Sequence, residues 1–265
     1  MRFLSLSAAL LCLAGVVAAQ EAKPAAPSPA APAAQSPQPP AAQAAPPAET
    51  PAAPPKSEVI AQASDRPDSG RVANDTYTSD YFGFTLALPA GWQVDDREAL
   101  QKSVDESYKK LYGSDPQAQA AGRDAEARAF MLLSAQGRVA TEPVPSQIQI
   151  AAEQLPEDSG VESGKDYLDA VGAQPALGGL DLKPLHEPAE IKLGGRPFWR
   201  QDFSAASTIN GKPVSISYAE YVSVQKGYAL ILSFWTDTPE DLAELVKYAD
   251  SLHFAAPSDS SAAPK

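Results

Sequence analysis

The chain has 265 residues and a formal net charge of -12, from 21 Lys and Arg against 33 Asp and Glu. That balance argues against a nucleic-acid partner or an anionic membrane surface, since both phosphate and lipid headgroups are held by Lys and Arg. There is one cysteine, Cys12, and its position in the leader leaves the exported product with no disulfide.

The N-terminus reads as a secretory signal over residues 1–19. Arg2 supplies a positive charge, residues 3–17 are apolar, and Val17-Ala18-Ala19 offers small residues for cleavage before Gln20. The run is short for a membrane span and carries Ser5 and Ser7, which argues against a retained anchor. Cys12 follows Leu10-Leu11 inside the apolar run, so it does not match a lipoprotein cleavage point. The expectation is a periplasmic or secreted protein with no transmembrane helix after cleavage.

Residues 20–74 read as a disordered linker. Up to Lys56 it is almost entirely Ala, Pro, Gln and Ser, a composition with little apolar surface to offset ordering entropy. In polyproline II form, at about 3.1 Å per residue, it reaches on the order of 100 Å. A spacer and a passive leader both fit it. The tail, residues 256–265, has the same character, which leaves residues 75–255 as one folded domain of about 180 residues.

Within that domain, residues 84–88 (Phe-Thr-Leu-Ala-Leu) read as a strand stopped by Pro89-Ala90-Gly91. Trp92 and Val94 are expected in the core. Asp95 or Asp96 is placed to cap a helix over residues 97–112, with Leu100, Val104, Tyr108 and Leu111 on one face. Residues 117–127 are an Ala-rich loop or short helix. Residues 130–134 and 147–152 read as strands. Ser163 is placed to cap a short helix over residues 166–171. Ile191-Lys192-Leu193 leads into a Gly194-Gly195 turn. Residues 198–203, 214–218 and 228–234 read as strands, joined by turns at Asn210-Gly211 and at Gln225-Lys226-Gly227. Thr238-Pro239-Glu240-Asp241 opens a closing helix, with Leu242, Leu245, Val246, Ala249 and Leu252 as its apolar stripe. Strands joined by tight turns are antiparallel. The fold class is α+β, a mostly antiparallel sheet flanked by helices.

The opening segment, residues 77–92 (Tyr-x-x-x-Tyr-Phe-Gly-Phe-Thr-Leu-Ala-Leu-Pro-Ala-Gly-Trp), resembles that of PsbP/Mog1-like domains, whose bacterial branch includes DcrB-like and LpqN-like envelope proteins. The Leu193-Gly194-Gly195-Arg196-Pro197-Phe198 segment resembles their central turn and strand. Residues 228–234 and the close Asp250-Ser251-Leu252-His253-Phe254 resemble their end. The resemblance implies an α-β-α sandwich and a non-enzymatic accessory or binding role. It brings no catalytic residues.

Motifs for chemistry are sparse. His186 and His253 are far apart and unaccompanied by cysteine, which argues against zinc. No Gly-x-Ser-x-Gly elbow occurs. The Gly178-Gly179 and Gly194-Gly195 pairs lack phosphate-loop spacing. Asp95-Asp96, Asp105-Glu106 and Glu157-Asp158 lack EF-hand spacing and read as caps or solvated faces. No cofactor or metal is expected. Asn74-Asp75-Thr76 forms a glycosylation sequon that matters only in a eukaryotic host. The aromatic residues Trp199, Tyr218, Tyr221, Tyr228 and Trp235 either pack as core or expose a patch beside Arg196 and Arg200. For the second case Arg196, Trp199, Arg200 and Tyr221 are the candidate partner-binding residues. The expected function is a non-enzymatic accessory or binding protein of the bacterial envelope, meeting a protein partner. A secreted hydrolase with dispersed acidic residues, or a structural envelope component, are the alternatives.

Overall fold

The computed structural model describes residues 66–96, 127–137, 145–172, 182–209 and 212–255. The signal segment, the linker up to residue 65, the helix expected over residues 97–112, nearly all of the Ala-rich stretch, the Gly178-Gly179 loop and the tail lie outside them.

The first described strands form a small antiparallel sheet. β1 (Arg71–Ala73), β2 (Thr76–Ser79), β3 (Phe84–Ala87) and the last strand β12 (His253–Phe254) pair in the order β1-β2-β3-β12. β1 lies inside the segment read as linker, so ordered pairing begins at Arg71 and not at Asp75. Asn74 and Asp75, both at positive φ, make the two-residue turn that aligns Ala73 with Thr76. Asn and Asp tolerate that left-handed backbone, and such a turn matches strand twist.

The large sheet holds β4 (Gln93–Val94), β5 (Ala129–Gln136), β6 (Gln147–Gln154), β7 (Lys183–Pro184), β8 (Ala189–Leu193), β9 (Arg196–Ile209), β10 (Lys212–Gln225) and β11 (Tyr228–Thr236). Its order is β4-β5-β6-β11-β10-β9-β7, with β8 also on β9, and every pair is antiparallel. The Gly194-Gly195 and Lys226-Gly227 turns are both left-handed at both residues and close their hairpins with Leu193 opposite Arg196 and Gln225 opposite Tyr228. The Asn210-Gly211 turn is outside the described residues, but Ile209 and Lys212 on its flanks are paired. β9 and β10 each run well beyond the stretches read from sequence.

The expected caps of the two described helices are in place, while the helix that Asp95 or Asp96 would cap lies outside the described residues. In α1 (Gly164–Gly172) the Asp166 N–H donates to Ser163 Oγ at 3.3 Å, and the Asp166 carboxylate accepts from the Ser163 N–H at 2.9 Å. In α2 (Pro239–Leu245) Thr238 Oγ1 accepts from the Asp241 N–H at 3.1 Å, with Pro239 in the first turn. The closing helix is shorter than its stripe suggests, because residues from Val246 to Ser251 tighten into a 3₁₀ turn. The stripe still buries Leu242, Leu245, Ala249 and Leu252.

Strand alternation divides the side chains between two faces. On one face Ile148, Ile150, Leu230, Leu232, Phe234, Tyr221 and Phe198 pack against Tyr77, Phe84 and Leu86 of the small sheet and Leu242 and Leu245 of α2. On the other, Ala151, Val222 and Ile231 pack against Tyr167, Leu168 and Val171 of α1, with Trp199 partly buried beside them. Gly164 permits that approach, since a Cβ there would stand 2.2 Å from the Val222 carbonyl oxygen. Trp92 reaches the core only partly, and Val94 is exposed, against expectation. β4 is an edge strand two residues long, too short to be covered on both sides.

The second face carries an unusual row. Register aligns Gln201, Glu220, Ser233, Gln149 and Ser134 across five consecutive strands, all buried. The ends of the row are better satisfied, although Gln201 Oε1 has no partner. Gln201 Nε2 donates to the His186 carbonyl at 2.9 Å, and Ser134 Oγ accepts from Gln147 Nε2 at 2.9 Å. The middle is not: neither amide atom of Gln149, 1% exposed, has a hydrogen-bond partner. The adjacent row stacks Phe203, Tyr218 and Trp235, with ring centroids 5.4 and 3.7 Å apart.

A buried amide without partners costs about 1–3 kcal/mol. Replacing Gln149 with the similarly long Met is therefore expected to stabilise the protein by about 1–3 kcal/mol, read as a raised urea midpoint. A lowered midpoint would mean that the amide has a partner. Ile150→Ala, one residue away on the other face, is expected to cost about 2–5 kcal/mol.

Candidate functional site

The candidate residues lie on β9 and β10. Alternation puts Arg196 and Arg200 on one face of β9, and register sets Arg200 opposite Tyr221. Trp199 faces the other way, into the smaller core under α1. The four residues therefore do not form one patch: Arg196 and Arg200 are half-buried along one edge of a face, Tyr221 is 2% exposed and packed in the core beneath them, and Trp199 is half-buried on the other face.

On that edge both guanidiniums lie over aromatic rings. Arg196 Cζ is 3.8 Å from the centroid of Phe254, and Arg200 Cζ is 5.3 Å from that of Tyr221. Cation–π contacts of this kind hold a long side chain in one orientation. The two arginines differ in what is left over. Arg200 is bidentate to Asp202, with Nε to Oδ1 at 2.8 Å and Nη2 to Oδ2 at 2.9 Å. Its charge is neutralised within its own strand. Arg196 donates to the Gln225 side-chain oxygen and takes no carboxylate among the described residues. It is the available cation of the edge. Tyr221 is no proton donor or acceptor near neutral pH, because burial pushes its hydroxyl up to about 12.

His186, which sequence reasoning left as an unassigned histidine, joins the same cluster. Its Nδ1 donates to the Glu187 carbonyl at 2.8 Å, and its Nε2 is 3.3 Å from Asp202 Oδ2. The Leu185 N–H donates to the Asp202 carbonyl at 2.8 Å, which ties the segment down beside β9. Nothing in the spacing of His186 and Asp202 announces this contact, which needs β7 laid against β9. His253 lies on β12, opposite Thr85, and is exposed.

A second feature was not foreseen. A cavity of about 230 Å³ lies between the segment leading into β1 and the strand β5. Gly70, Arg71 and Val72 form one wall, residues 129–134 the other, and Val94 and Asp95 one end. Among the described residues no group of three or more His, Cys, Asp or Glu is placed to hold a metal ion. No helix among them is long and apolar enough to cross a membrane.

No protein-family model and no curated protein matches the chain. Among solved structures it is similar to cyanobacterial PsbP (CyanoP) from Synechocystis sp. PCC 6803, at 12% identity over 68% of this chain and 91% of that one, with a TM-score of 0.38. It is similar to LpqN of Mycobacterium tuberculosis, a protein involved in cell envelope biogenesis, at 12% identity over 65% of this chain and 83% of that one, TM-score 0.34. A Pseudomonas aeruginosa protein of unknown function is similar at 14% identity over 60% of this chain and 81% of that one, TM-score 0.25.

The His186 contacts have a pH consequence. The Glu187 carbonyl first, then Asp202, raise the imidazole above its ordinary 6.5. A raised folded value means stability that is complete below the unfolded value and lost as pH climbs through the folded one. Stability is expected to fall as pH rises from about 6 to 8, and His186→Gln is expected to flatten that slope. Urea midpoints across the range measure it; an unchanged slope in the variant would remove His186 as the cause.

Proposed function

We propose that the chain is a non-enzymatic binding protein exported to the bacterial cell envelope, in the periplasm or outside the cell. It presents a PsbP/Mog1-like α-β-α sandwich on a Pro/Ala-rich tether and meets a protein partner there. The observation that carries this reading is Arg196, an ordered cation braced on Phe254 at the edge of an acidic chain, with no carboxylate answering it among the described residues. Arginine backed by an aromatic ring is a common anchor at protein interfaces. The leader supports export, and the low-complexity segment supports display at a distance. Arg200 serves as the rigid shoulder of the contact, with the buried Tyr221 ring behind it and Asp202 fixing the guanidinium.

The test uses the full chain and its Arg196→Glu variant, immobilised and exposed to an envelope extract. The unaltered chain is expected to retain a defined protein, and the variant to retain it at least about tenfold less strongly. Equal retention by both would remove Arg196 from the contact. Turnover of a substrate by the purified chain would overturn the non-enzymatic reading.

A further inference from the structure

The cavity beside β5 combines four features. The first is an open edge. β4 pairs with β5 only at Gln136 and Ala135. Beyond that the chain turns off: the Asp95 N–H donates to the Ser134 carbonyl at 2.9 Å, and the Asp95 carboxylate accepts from Ser134 Oγ and, at 2.8 Å, from Gln136 Nε2. Among the described residues no strand then covers the outer side of β5 from Leu133 to Ala129. The second is the position of the space, since every residue from 129 to 134 lines it. The third is the facing wall, where β1, an edge strand of the small sheet, contributes Arg71 and Val72. The fourth is apolar exposure. Val72 and Val94, at 38% and 39%, are two of the three exposed large hydrophobic residues among those described, and both line this cavity.

Edge strands are ordinarily blunted by charge or proline, because unpaired N–H and C=O groups recruit other strands. β5 reads Ala-Phe-Met-Leu-Leu-Ser-Ala-Gln, with neither. A bulge between Met131 and Leu133 is its one irregularity, and bulges also occur where a strand is re-aimed beside a functional site. The charges at the rim are already used, Arg71 by Asp80 and Asp95 by Ser134 and Gln136. The cleft therefore asks for an uncharged occupant with backbone groups to offer.

We propose that this cleft binds an uncharged extended peptide of a partner protein, which pairs with residues 129–133 as an added strand and sets alternate apolar side chains against Val72 and Val94. Main-chain hydrogen bonds supply affinity in such strand addition, and pockets for alternate side chains supply selectivity. A single strand needs about 4.8 Å of width. The space runs along the outer side of β5, where such a strand would lie. The proposal rests on the reading of the chain as a binding protein but not on the arginine edge.

The experiment screens the full chain against an immobilised library of capped hexapeptides. Enriched sequences are expected to alternate apolar and polar residues and to lack proline. Resynthesised binders are expected to slow amide exchange in residues 129–133. Methylating alternate backbone nitrogens is expected to weaken them at least about tenfold in one parity and little in the other. Val72→Lys and Val94→Lys, at exposed positions that leave the fold intact by circular dichroism, are expected to weaken binding similarly. No enrichment, no parity effect, or binders indifferent to both lysine variants would overturn the proposal. Protection of residues 129–133 that rises with chain concentration alone would assign the edge to a second copy instead. Arg196→Glu is expected to leave peptide binding unchanged, so the two surfaces can fail separately.

Discussion

The register of the β10–β11 hairpin governs everything else in the domain. Lys226 and Gly227 both take left-handed backbone, and that two-residue turn sets Gln225 opposite Tyr228. Because side chains alternate, a slip of one residue would send every apolar side chain to the wrong face. With the register as it is, Tyr228, Leu230, Leu232 and Phe234 meet the small sheet and the closing helix, while Ala229 and Ile231 meet α1. β6 and β9 then dock on a template whose parity is already decided. The arginine edge follows from the β9–β10 register, in which Ile209 pairs with Lys212 and Arg200 therefore stands opposite Tyr221.

The two faces of the large sheet are built to different standards. The first is apolar and aromatic, with Phe254 in ring contact with both Phe84 and Phe198. The second mixes an apolar patch under α1 with the row through Gln201, Glu220, Ser233 and Gln149. Fixing polar side chains in a dry interior costs stability where partners are missing. Near the upper end of that face the polar groups are matched: the Tyr167 hydroxyl donates to Glu153 at 2.6 Å, and so ties α1 to β6. Stability is concentrated on the first face, and the second gives up part of it. The rim of the sheet differs from both. β4 ends at Val94, Asp95 is bound to Ser134 and Gln136, and among the described residues the outer side of β5 beyond them lies unpaired beside a cavity.

Sequence made the local features legible. The caps at Ser163 and Thr238, the Gly194-Gly195 and Lys226-Gly227 turns and the central strands all rest on short-range chemistry, and each lies where its residues indicate. What escaped depends on pairing between distant segments. Val94 looks like core from its neighbours but sits on a two-residue edge strand. Arg71-Val72-Ala73 has no strand signal apart from its partner β2. Trp199 and Arg200 are adjacent in sequence, and that adjacency is itself what separates them in space. The polar row is visible only once five registers are known, because each of its residues alone resembles an ordinary solvent-facing position. The cleft begins where β4 stops, and there Asp95 meets the side chains of Ser134 and Gln136, some forty residues later in the chain.

The open edge of β5 is the structural claim on which the binding reading is most exposed. Residue-resolved amide exchange on the full chain, without any added ligand, examines it directly. Slow exchange is expected through β6, β11 and β10, which are paired on both sides, and fast exchange at the outward amides of residues 129–133. Uniformly slow exchange along the whole of β5 would contradict an unpaired edge.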